Sequence, residues 1–314
     1  MNAPRHLLLP AVLSGWLLAC AASAQTLPAH APLRILIVSD EVNPHALPPG
    51  QLTQPGELSA AMDNTPALNI DALPESLLEL PTNAIEQATS RLQLPPADPA
   101  GYDVLIYFAH RVPDNGMDDQ VRQEAFVAAV SQFLIAGGGV VSFHHGIYET
   151  AGKASMQDLL GAQATGAVPW NTTTGQNVIA LSSYHFVSHH AVLYPGRVAY
   201  ADPGIGVATG DYLAFNNTPD ERYPNLALRA GTSGIEALFG SDYSEGGSAH
   251  LLGYARSQAP WQGVVVVYQP GEYEPNALGP GNNYQILLNA ILFAANYRTG
   301  DWLFIDGFEG GSLE

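Results

Sequence analysis

The sequence predicts an α/β protein, a three-layer sandwich in which helices cover both faces of a mostly parallel β-sheet. Three short apolar runs, at residues 33–38, 104–108 and 140–143, have the length and composition of buried strands. A helical pattern separates the second run from the third, and strand, helix and strand at this spacing form a parallel crossover unit. With 314 residues, the chain is long enough to bury a large core.

The first part of the chain alternates buried strands with polar turns. Residues 33–38 read LRILIV and lead towards Asp40, after which a proline-rich segment contains one predicted helix, 82–92. Residues 104–108 read VLIYF and lead into His110. An apolar run without alternation indicates a strand that is buried on both faces, as in the centre of a parallel sheet.

A longer helix is predicted between the second strand and the third. Asp118 and Asp119 precede it, where acidic side chains stabilise the positive end of the helix dipole. The glycines 137–139 end it, because glycine adopts the left-handed conformation of a helix C-terminus without strain. One face of the helix is apolar at the 3.6-residue period, through Phe126, Val127, Val130, Phe133 and Leu134.

The second half of the chain is less regular until its end. Residues 166–247 are rich in glycine and aromatic residues, and within them 177–181 and 191–193 are short strand candidates. Four consecutive valines then predict a buried strand over 263–268. A closing helix is predicted over 284–296.

Four of the predicted strands are followed by polar residues. In open α/β sheets, ligands bind outside the carboxyl ends of the strands. The side chains at these ends are Asp40, Glu41, His110, His144, His145 and Glu272. We therefore expect them to surround one binding crevice.

The N-terminus has the pattern of an export signal. Arg5 precedes an apolar run over 7–18 that is too short to span a bilayer, and Ala22-Ser23-Ala24 forms a site for signal peptidase. We expect cleavage after Ala24 and a periplasmic or extracellular mature protein. Acylation of Cys20, in the lipobox-like sequence LLAC, is the alternative and would hold the protein on a membrane.

Composition limits the chemistry and the partners of the mature domain, which we place at 25–297, ahead of a tail at 298–314. Cys20 is the only cysteine, so a chain cleaved after Ala24 has no disulfide, thiolate metal site or cysteine nucleophile. The formal net charge is −18, and such a surface repels the phosphates of nucleic acids and anionic lipids. We expect a small-molecule partner, no nucleic acid and no membrane span.

Several segments together resemble the ThuA-like (trehalose utilisation) family. The most specific is GGGVVSFH at 137–144, and the LNA of the closing helix, 288–290, is moderately specific. The others, in the family's order, are 33–40, 102–110, 158–162, 220–223 and 267–272. The resemblance implies the flavodoxin-like sandwich of class I glutamine amidotransferases and a role in sugar metabolism.

The resemblance also assigns individual residues. His144 matches the histidine that ends the glycine–strand motif, and His110 matches a histidine found after the second strand in some members. Glu221 and Tyr223 match the acidic and aromatic pair of the family's Asp-Glu-x-Tyr segment. Glu272 departs from the pattern, because the family usually has a histidine there in a Gly-His pair.

His144 occupies the tight strand-to-helix turn at which glutamine amidotransferases carry a cysteine nucleophile. An imidazole can move a proton or hold a metal at that position, but it does not replace a thiolate in glutamine hydrolysis. We therefore expect no amidotransferase activity.

The first functional hypothesis is an enzyme that acts on a sugar or sugar derivative by acid–base chemistry. His144 would be the central proton-transfer group, assisted by His110, Glu221 and Glu272. We expect its imidazole to face solvent, so that replacing it costs little stability.

The hypothesis also assigns residues to ligand and metal contacts, and it has one alternative. His145, Tyr223 and Asp40 would contact the ligand, and a divalent metal held by His110 and His144 is a variant of the mechanism. The alternative is an exported carbohydrate-binding protein that keeps the fold without the chemistry, which the departure at Glu272 favours.

Overall fold

The computed structural model describes residues 33–39, 69–74, 84–114, 119–167, 176–217, 220–242, 249–271 and 281–298. Within them, ten strands form one sheet and helices pack on both of its faces. The predicted α/β sandwich is therefore confirmed. The expected signal peptide, Asp40, Glu41, Glu272 and nearly all of the expected tail lie outside the described residues.

The elements are numbered in chain order. The strands are β1 (Arg34–Ser39), β2 (Asn69–Pro74), β3 (Val104–Phe108), β4 (Gly139–Phe143), β5 (Ala162–Gln163), β6 (Asn177–Ala180), β7 (Gly196–Tyr200), β8 (Gly210–Asn216), β9 (Ala227–Leu228), β10 (Ile235–Ser241), β11 (His250–Arg256) and β12 (Val265–Tyr268). The helices are α1 (Ala84–Leu92), α2 (Gln120–Ala136), α3 (Ala154–Leu160), α4 (Phe186–His189) and α5 (Asn282–Asn296), and a 3₁₀ turn covers His144–Ile147.

The large sheet joins a parallel part to an antiparallel part. Its strand order is β2-β1-β3-β4-β12-β11-β10-β6-β8-β7, while β5 and β9 form a separate pair. The strands from β2 to β12 in this order are parallel, and those from β12 to β7 are antiparallel. β12 is the last of the described strands in chain order, yet it lies beside β4 in the middle of the sheet, with Val265 opposite Val140.

Two hydrophobic cores lie on opposite faces of the sheet. Ile35 and Ile37 belong to the core shared with α4 and α5, whereas Leu36 and Val38 belong to the core shared with α1, α2 and α3. The alternation follows from the two-residue period of side chains along a strand. In the described part of the chain, no helix has both the length and the apolar character needed to cross a membrane.

The ends of α2 are fixed by its sequence. The carboxylate of Asp119 accepts hydrogen bonds from the backbone N–H groups of Val121 and Arg122, at 3.0 and 3.2 Å. Gly137 ends the helix with φ of 102°, and its N–H bonds to the carbonyl oxygen of Leu134. The predicted apolar stripe packs inward, with Phe126, Val130, Phe133 and Leu134 buried and Val127 half-buried.

The strand predicted over 191–193 is wrong. The backbone N–H and carbonyl oxygen of Leu193 pair with the side chain of Asn282, at 3.0 and 2.7 Å, instead of with another strand. Ala191 has φ of 55°, which interrupts an extended conformation. A side chain from α5 therefore satisfies the backbone groups that a neighbouring strand would have used.

Candidate functional site

The carboxyl ends of β3 and β4 bring three histidines together. The strands are parallel neighbours, with Tyr107 opposite Ser142, so the residues that follow them meet at one edge of the sheet. His110 follows β3, and His144 and His145 begin the 3₁₀ turn after β4. The rings of His110 and His145 are stacked with centroids 3.9 Å apart, and those of His144 and His145 are 4.8 Å apart.

The turn after β4 is sharp, as predicted. His144 has φ of 40°, in the left-handed region that residues other than glycine rarely adopt. Gly146 has no room for a side chain, because a Cβ atom there would lie 2.5 Å from the carbonyl oxygen of Tyr107 and even closer to Oγ of Ser142. Strained backbone of this kind is retained where the surrounding packing holds it, and it is common at functional sites.

The imidazole of His144 is fully buried, and both of its nitrogens have polar partners. Nδ1 lies 2.8 Å from the backbone carbonyl oxygen of Gln269, and Nε2 lies 3.2 Å from Oε2 of Glu221. The ring of Tyr223 packs against it with centroids 4.8 Å apart. The expectation of a solvent-facing imidazole is therefore wrong, because β12 places Gln269 against the ring and the segment containing Glu221 closes over it.

The contacts of His144 determine how many protons the site holds. Nδ1 lies 2.8 Å from the carbonyl oxygen of Gln269 and 3.4 Å from the amide nitrogen of the same residue. A carbonyl oxygen only accepts hydrogen bonds, so the closer contact assigns a proton to Nδ1. The contact between Nε2 and Glu221 then requires a second proton, since an unprotonated Nε2 and a carboxylate are both acceptors. This contact is therefore either an imidazolium beside a carboxylate or an imidazole beside a carboxylic acid.

Glu221 is held against the end of β12 by its neighbour Asp220. One carboxylate oxygen of Asp220 accepts from the N–H of Glu221 at 2.9 Å, and the other accepts from the N–H of Gly271 at 2.7 Å and from the Asn217 side chain at 2.8 Å. The Gln269 side chain donates to the carbonyl oxygen of Glu221 at 3.1 Å. The Glu221 side chain keeps 12% of its surface exposed, so the pair borders solvent on the carboxylate side.

His145 is held by a buried lysine. The Nζ atom of Lys153 donates to the carbonyl oxygens of Ala109 and His145, each at 2.6 Å. These carbonyls belong to the segments that follow β3 and β4, so Lys153 ties the two strand ends together. The His145 ring packs between Phe108 and His110, with centroids 4.7 and 3.9 Å away.

No protein-family model and no curated protein matches the sequence. Solved structures do match. A ThuA-like protein from Bacteroides uniformis is 14% identical over 83% of this chain and 90% of that chain, with a TM-score of 0.52. Another from Parabacteroides merdae is 11% identical over 85% of this chain and 91% of that chain, also with a TM-score of 0.52.

The chain has a ThuA-like fold. Identities of 14% and 11% establish the fold alone, and the site has to be interpreted from its own residues. The agreement extends over nearly the whole length of both ThuA-like proteins and over more than four fifths of this chain.

Within this ThuA-like fold, the structure gathers most of the predicted site residues at one edge. Those brought together are His110, His144, His145, Glu221 and Tyr223. His110 and Glu221 are half-buried, whereas the other three are buried. Asp40 and Glu272, predicted for ligand contact and for proton transfer, lie outside the described residues.

Among the residues that the structure describes, one set of side chains has donor atoms close enough to share a metal ion. One ligand atom from each of His144, His145 and Glu221 lies within 4.8 Å of the other two. The sequence analysis paired His110 with His144 for this role. In the structure, His110 stacks on His145 and is not part of the set.

Three residues of the site were not predicted as site residues, although two of them, Asp220 and Gln269, lie in segments that resemble the ThuA-like family. Gln269 directly follows the valine-rich strand, which is the same signal that singled out the histidines, but it was passed over for Glu272. Lys153 is the only lysine in an acidic chain, and that rarity was a usable signal. The role of Asp220 depends on contacts with Gly271 and Asn217. No local sequence pattern predicts these contacts.

Proposed function

We propose that this protein is a member of the ThuA-like family that acts on a sugar or sugar derivative through His144 and Glu221. One observation carries the proposal, the buried contact of 3.2 Å between Nε2 of His144 and Oε2 of Glu221. A proton held between an imidazole and a carboxylate, with the ring oriented by a backbone carbonyl, has the geometry of a proton-transfer group.

The surroundings of the pair favour a small ligand with apolar faces and hydroxyl groups. Tyr148 and His110 are half-buried, with ring centroids 5.8 Å apart in an edge-to-face arrangement, and Tyr148 also packs on Tyr223. Aromatic rings stack on the C–H faces of sugars, and Glu221 at this rim accepts hydrogen bonds from hydroxyl groups. The resemblance of the sequence to the ThuA-like family implies a role in sugar metabolism, which favours the same class of ligand.

The residue at the turn argues against amidotransferase chemistry. His144 has the left-handed backbone of a nucleophile turn, but its imidazole is hydrogen-bonded on both sides and offers no thiolate. The only cysteine, Cys20, falls in the expected signal peptide. Proton transfer is the chemistry that these side chains supply.

Substrate screening of a Glu221→Gln variant tests the proposal. The purified wild-type chain is incubated with disaccharides and keto-sugars, products are followed by NMR, and binding is followed by calorimetry. We expect turnover by the wild type and its loss in Glu221→Gln, which keeps the side-chain shape and removes the acid. Glu124→Gln, at an exposed position on α2, is the matched control and should behave as wild type.

A non-catalytic carbohydrate-binding protein is the second candidate. Glu272 stands where the family usually has a histidine, and this departure favours lost chemistry. Binding of a sugar without turnover, unchanged in Glu221→Gln, would support this candidate and overturn the first.

We also propose that the chain is exported. The basic residue, short apolar run and Ala22-Ser23-Ala24 support cleavage after Ala24. Mass spectrometry of the protein purified from a Gram-negative host should give Gln25 as the first residue. A diacylglyceryl group on Cys20 would show a lipoprotein instead.

A further inference from the structure

We propose that the same site binds one divalent transition-metal ion, held by the imidazoles of His144 and His145 and the carboxylate of Glu221. The inference rests on the proposed function in that it concerns the same side chains. It goes further in naming a cofactor class and three ligands.

The donor atoms suit such an ion in kind and in spacing. Two imidazoles and one carboxylate form a common protein ligand set for zinc, and they leave a fourth tetrahedral position for water or substrate. Ligand atoms at about 2.0–2.1 Å from a tetrahedral ion are about 3.4 Å apart. His144 and Glu221 already meet this spacing at 3.2 Å, and the donor atom of His145 lies within 4.8 Å of both.

The hydrogen bond at Nδ1 prepares His144 to be a ligand. Nδ1 lies 2.8 Å from the carbonyl oxygen of Gln269, and a proton on Nδ1 leaves the lone pair of Nε2 directed at Glu221. Metal-bound histidines usually donate their second ring N–H to a carbonyl or carboxylate, because this fixes the ring and its tautomer. The bond is formed by backbone at the end of β12, so it belongs to the rigid part of the fold.

The other two ligands are held in a comparable way. Lys153 fixes the carbonyl of His145, and Asp220 fixes the N–H of Glu221. Within the described residues, the buried Oε1 atom of Gln269 has no hydrogen-bond partner, while its amide nitrogen donates to the Glu221 backbone.

The charges around His144 and Glu221 favour a bound cation. The acceptors Nε2 and Oε2 face each other at 3.2 Å in a buried setting, and their repulsion has to be removed by a proton or by a metal ion. A net charge of −18 raises the local concentration of divalent cations around the protein. The ion and the proton are mutually exclusive occupants, so the metal-bound form uses His144 as a ligand and no longer as a proton carrier.

Metal titration of the full chain tests the inference. After dialysis against EDTA, the protein is titrated with Zn²⁺ by calorimetry and with Co²⁺ by visible absorption, and bound metal is counted by mass spectrometry. We expect one ion per chain and the absorption bands of tetrahedral Co²⁺. Glu221→Gln and His145→Gln should each weaken binding by about 100-fold or more, since each removes a ligand. His189→Gln, at a histidine on α4 outside the set, is the control and should bind as wild type.

The outcomes separate the metal from the proposed function. Absence of stoichiometric binding, or binding unchanged in Glu221→Gln, overturns the metal site. If His145→Gln fails to fold, the isosteric Glu221→Gln decides alone. If no ion binds in the titration and the EDTA-treated protein turns over a sugar, the metal site is overturned and the acid–base function stands. One bound ion that depends on Glu221, with no sugar bound or turned over, supports the metal site and removes the proposed function.

Discussion

The Nζ atom of Lys153 lies 2.6 Å from the carbonyl oxygen of His145, at the centre of the site. It donates equally to the carbonyl oxygen of Ala109 and lies 5.3 Å from the centroid of the Tyr107 ring. A single ammonium group thus connects the two strand ends that carry the histidines. The only lysine of the chain serves the positioning of the site from inside the protein.

Replacing Lys153 by methionine should destabilise the protein by about 1–3 kcal/mol. Two buried carbonyl groups lose charge-assisted hydrogen bonds, and removal of a buried charge offsets part of this cost. Denaturant melts measure the change in the free energy of unfolding. Arg197→Met is the control, because it removes a cation from an exposed position on β7 and should cost under about 1 kcal/mol. Equal stability of Lys153→Met and wild type would contradict the positioning role.

Two variants at His144 separate its side chain from its backbone. His144→Ala and His144→Gly both remove a hydrogen-bond partner from the Gln269 carbonyl and from the Glu221 carboxylate. Each variant should lower the free energy of unfolding by about 2–4 kcal/mol. The glycine variant should nevertheless be the more stable by about 0.5–1 kcal/mol. Relief of left-handed strain, about 1–2 kcal/mol, exceeds the added entropy of the unfolded chain, about 0.5–1 kcal/mol.

Thermal and denaturant melts of the two His144 variants give this difference. Ala109→Gly is the matched control at a buried residue that has no left-handed backbone, and there glycine should be the less stable residue. A His144→Gly variant less stable than His144→Ala would mean that the strain at φ of 40° is absent in solution.

Gly146→Ala should disrupt the turn. The added methyl would lie 2.5 Å from a backbone carbonyl oxygen, which cannot move aside without shifting β3, and we expect a loss of about 1–3 kcal/mol. Gly196→Ala is the control, because nothing lies within 4 Å of its added methyl, and it should stay within about 0.5 kcal/mol of wild type. The melting temperatures of the two variants, each compared with wild type, test this prediction. Equal shifts for the two variants would refute the tight turn.

Acid should destabilise the protein in part through His185. Burial lowers the pKa of this imidazole to about 4, and the charge of His189 adds to the effect. In the unfolded chain the pKa is about 6.5, so between these two values the unfolded state binds more protons. The contribution of neutral His185 is therefore complete above pH 6.5 and is lost as the pH falls towards 4.

Stability measured at pH 7 and pH 5 tests the role of His185. The Nδ1 atom of this residue accepts from the N–H of Val187 at 3.1 Å, so His185→Asn keeps a capping acceptor while removing the titration. Wild type should lose about 1–2 kcal/mol more than His185→Asn over this interval. Parallel losses in the two proteins would show that His185 is not the group responsible.

The fold was largely predictable because each central strand can be recognised from its own sequence. β1, β3, β4 and β12 are continuous apolar runs, and α2 carries its own capping residues at Asp119 and Gly137. The antiparallel half was predicted only at β6. Strands such as β7 and β8 are largely exposed, so their burial pattern is weak, and their pairing depends on partners distant in the sequence.

The sequence predicted most residues of the candidate site but did not predict how they are arranged. Strand-end placement identified His110, His144 and His145, and the family resemblance identified Glu221. Burial of His144 could not be foreseen, because it depends on Gln269 and Glu221, which lie 125 and 77 residues further along the chain. Local patterns indicate which side chains reach an edge of the sheet, whereas long-range packing determines what covers them.

The position of β12 has a consequence for the biosynthesis of the protein. This strand begins at residue 265, far along the chain from β4, yet it is the one that joins β4 to β11. Until it has emerged from the ribosome, the two halves of the sheet have no common strand, and His144 lacks its backbone acceptor. The edges of β4 and β11 are then open to pairing with other chains, and the closing contacts span a long loop, which slows folding. Formation of the site therefore waits for a strand that is made long after β4, and until then the open strand edges favour association with other chains.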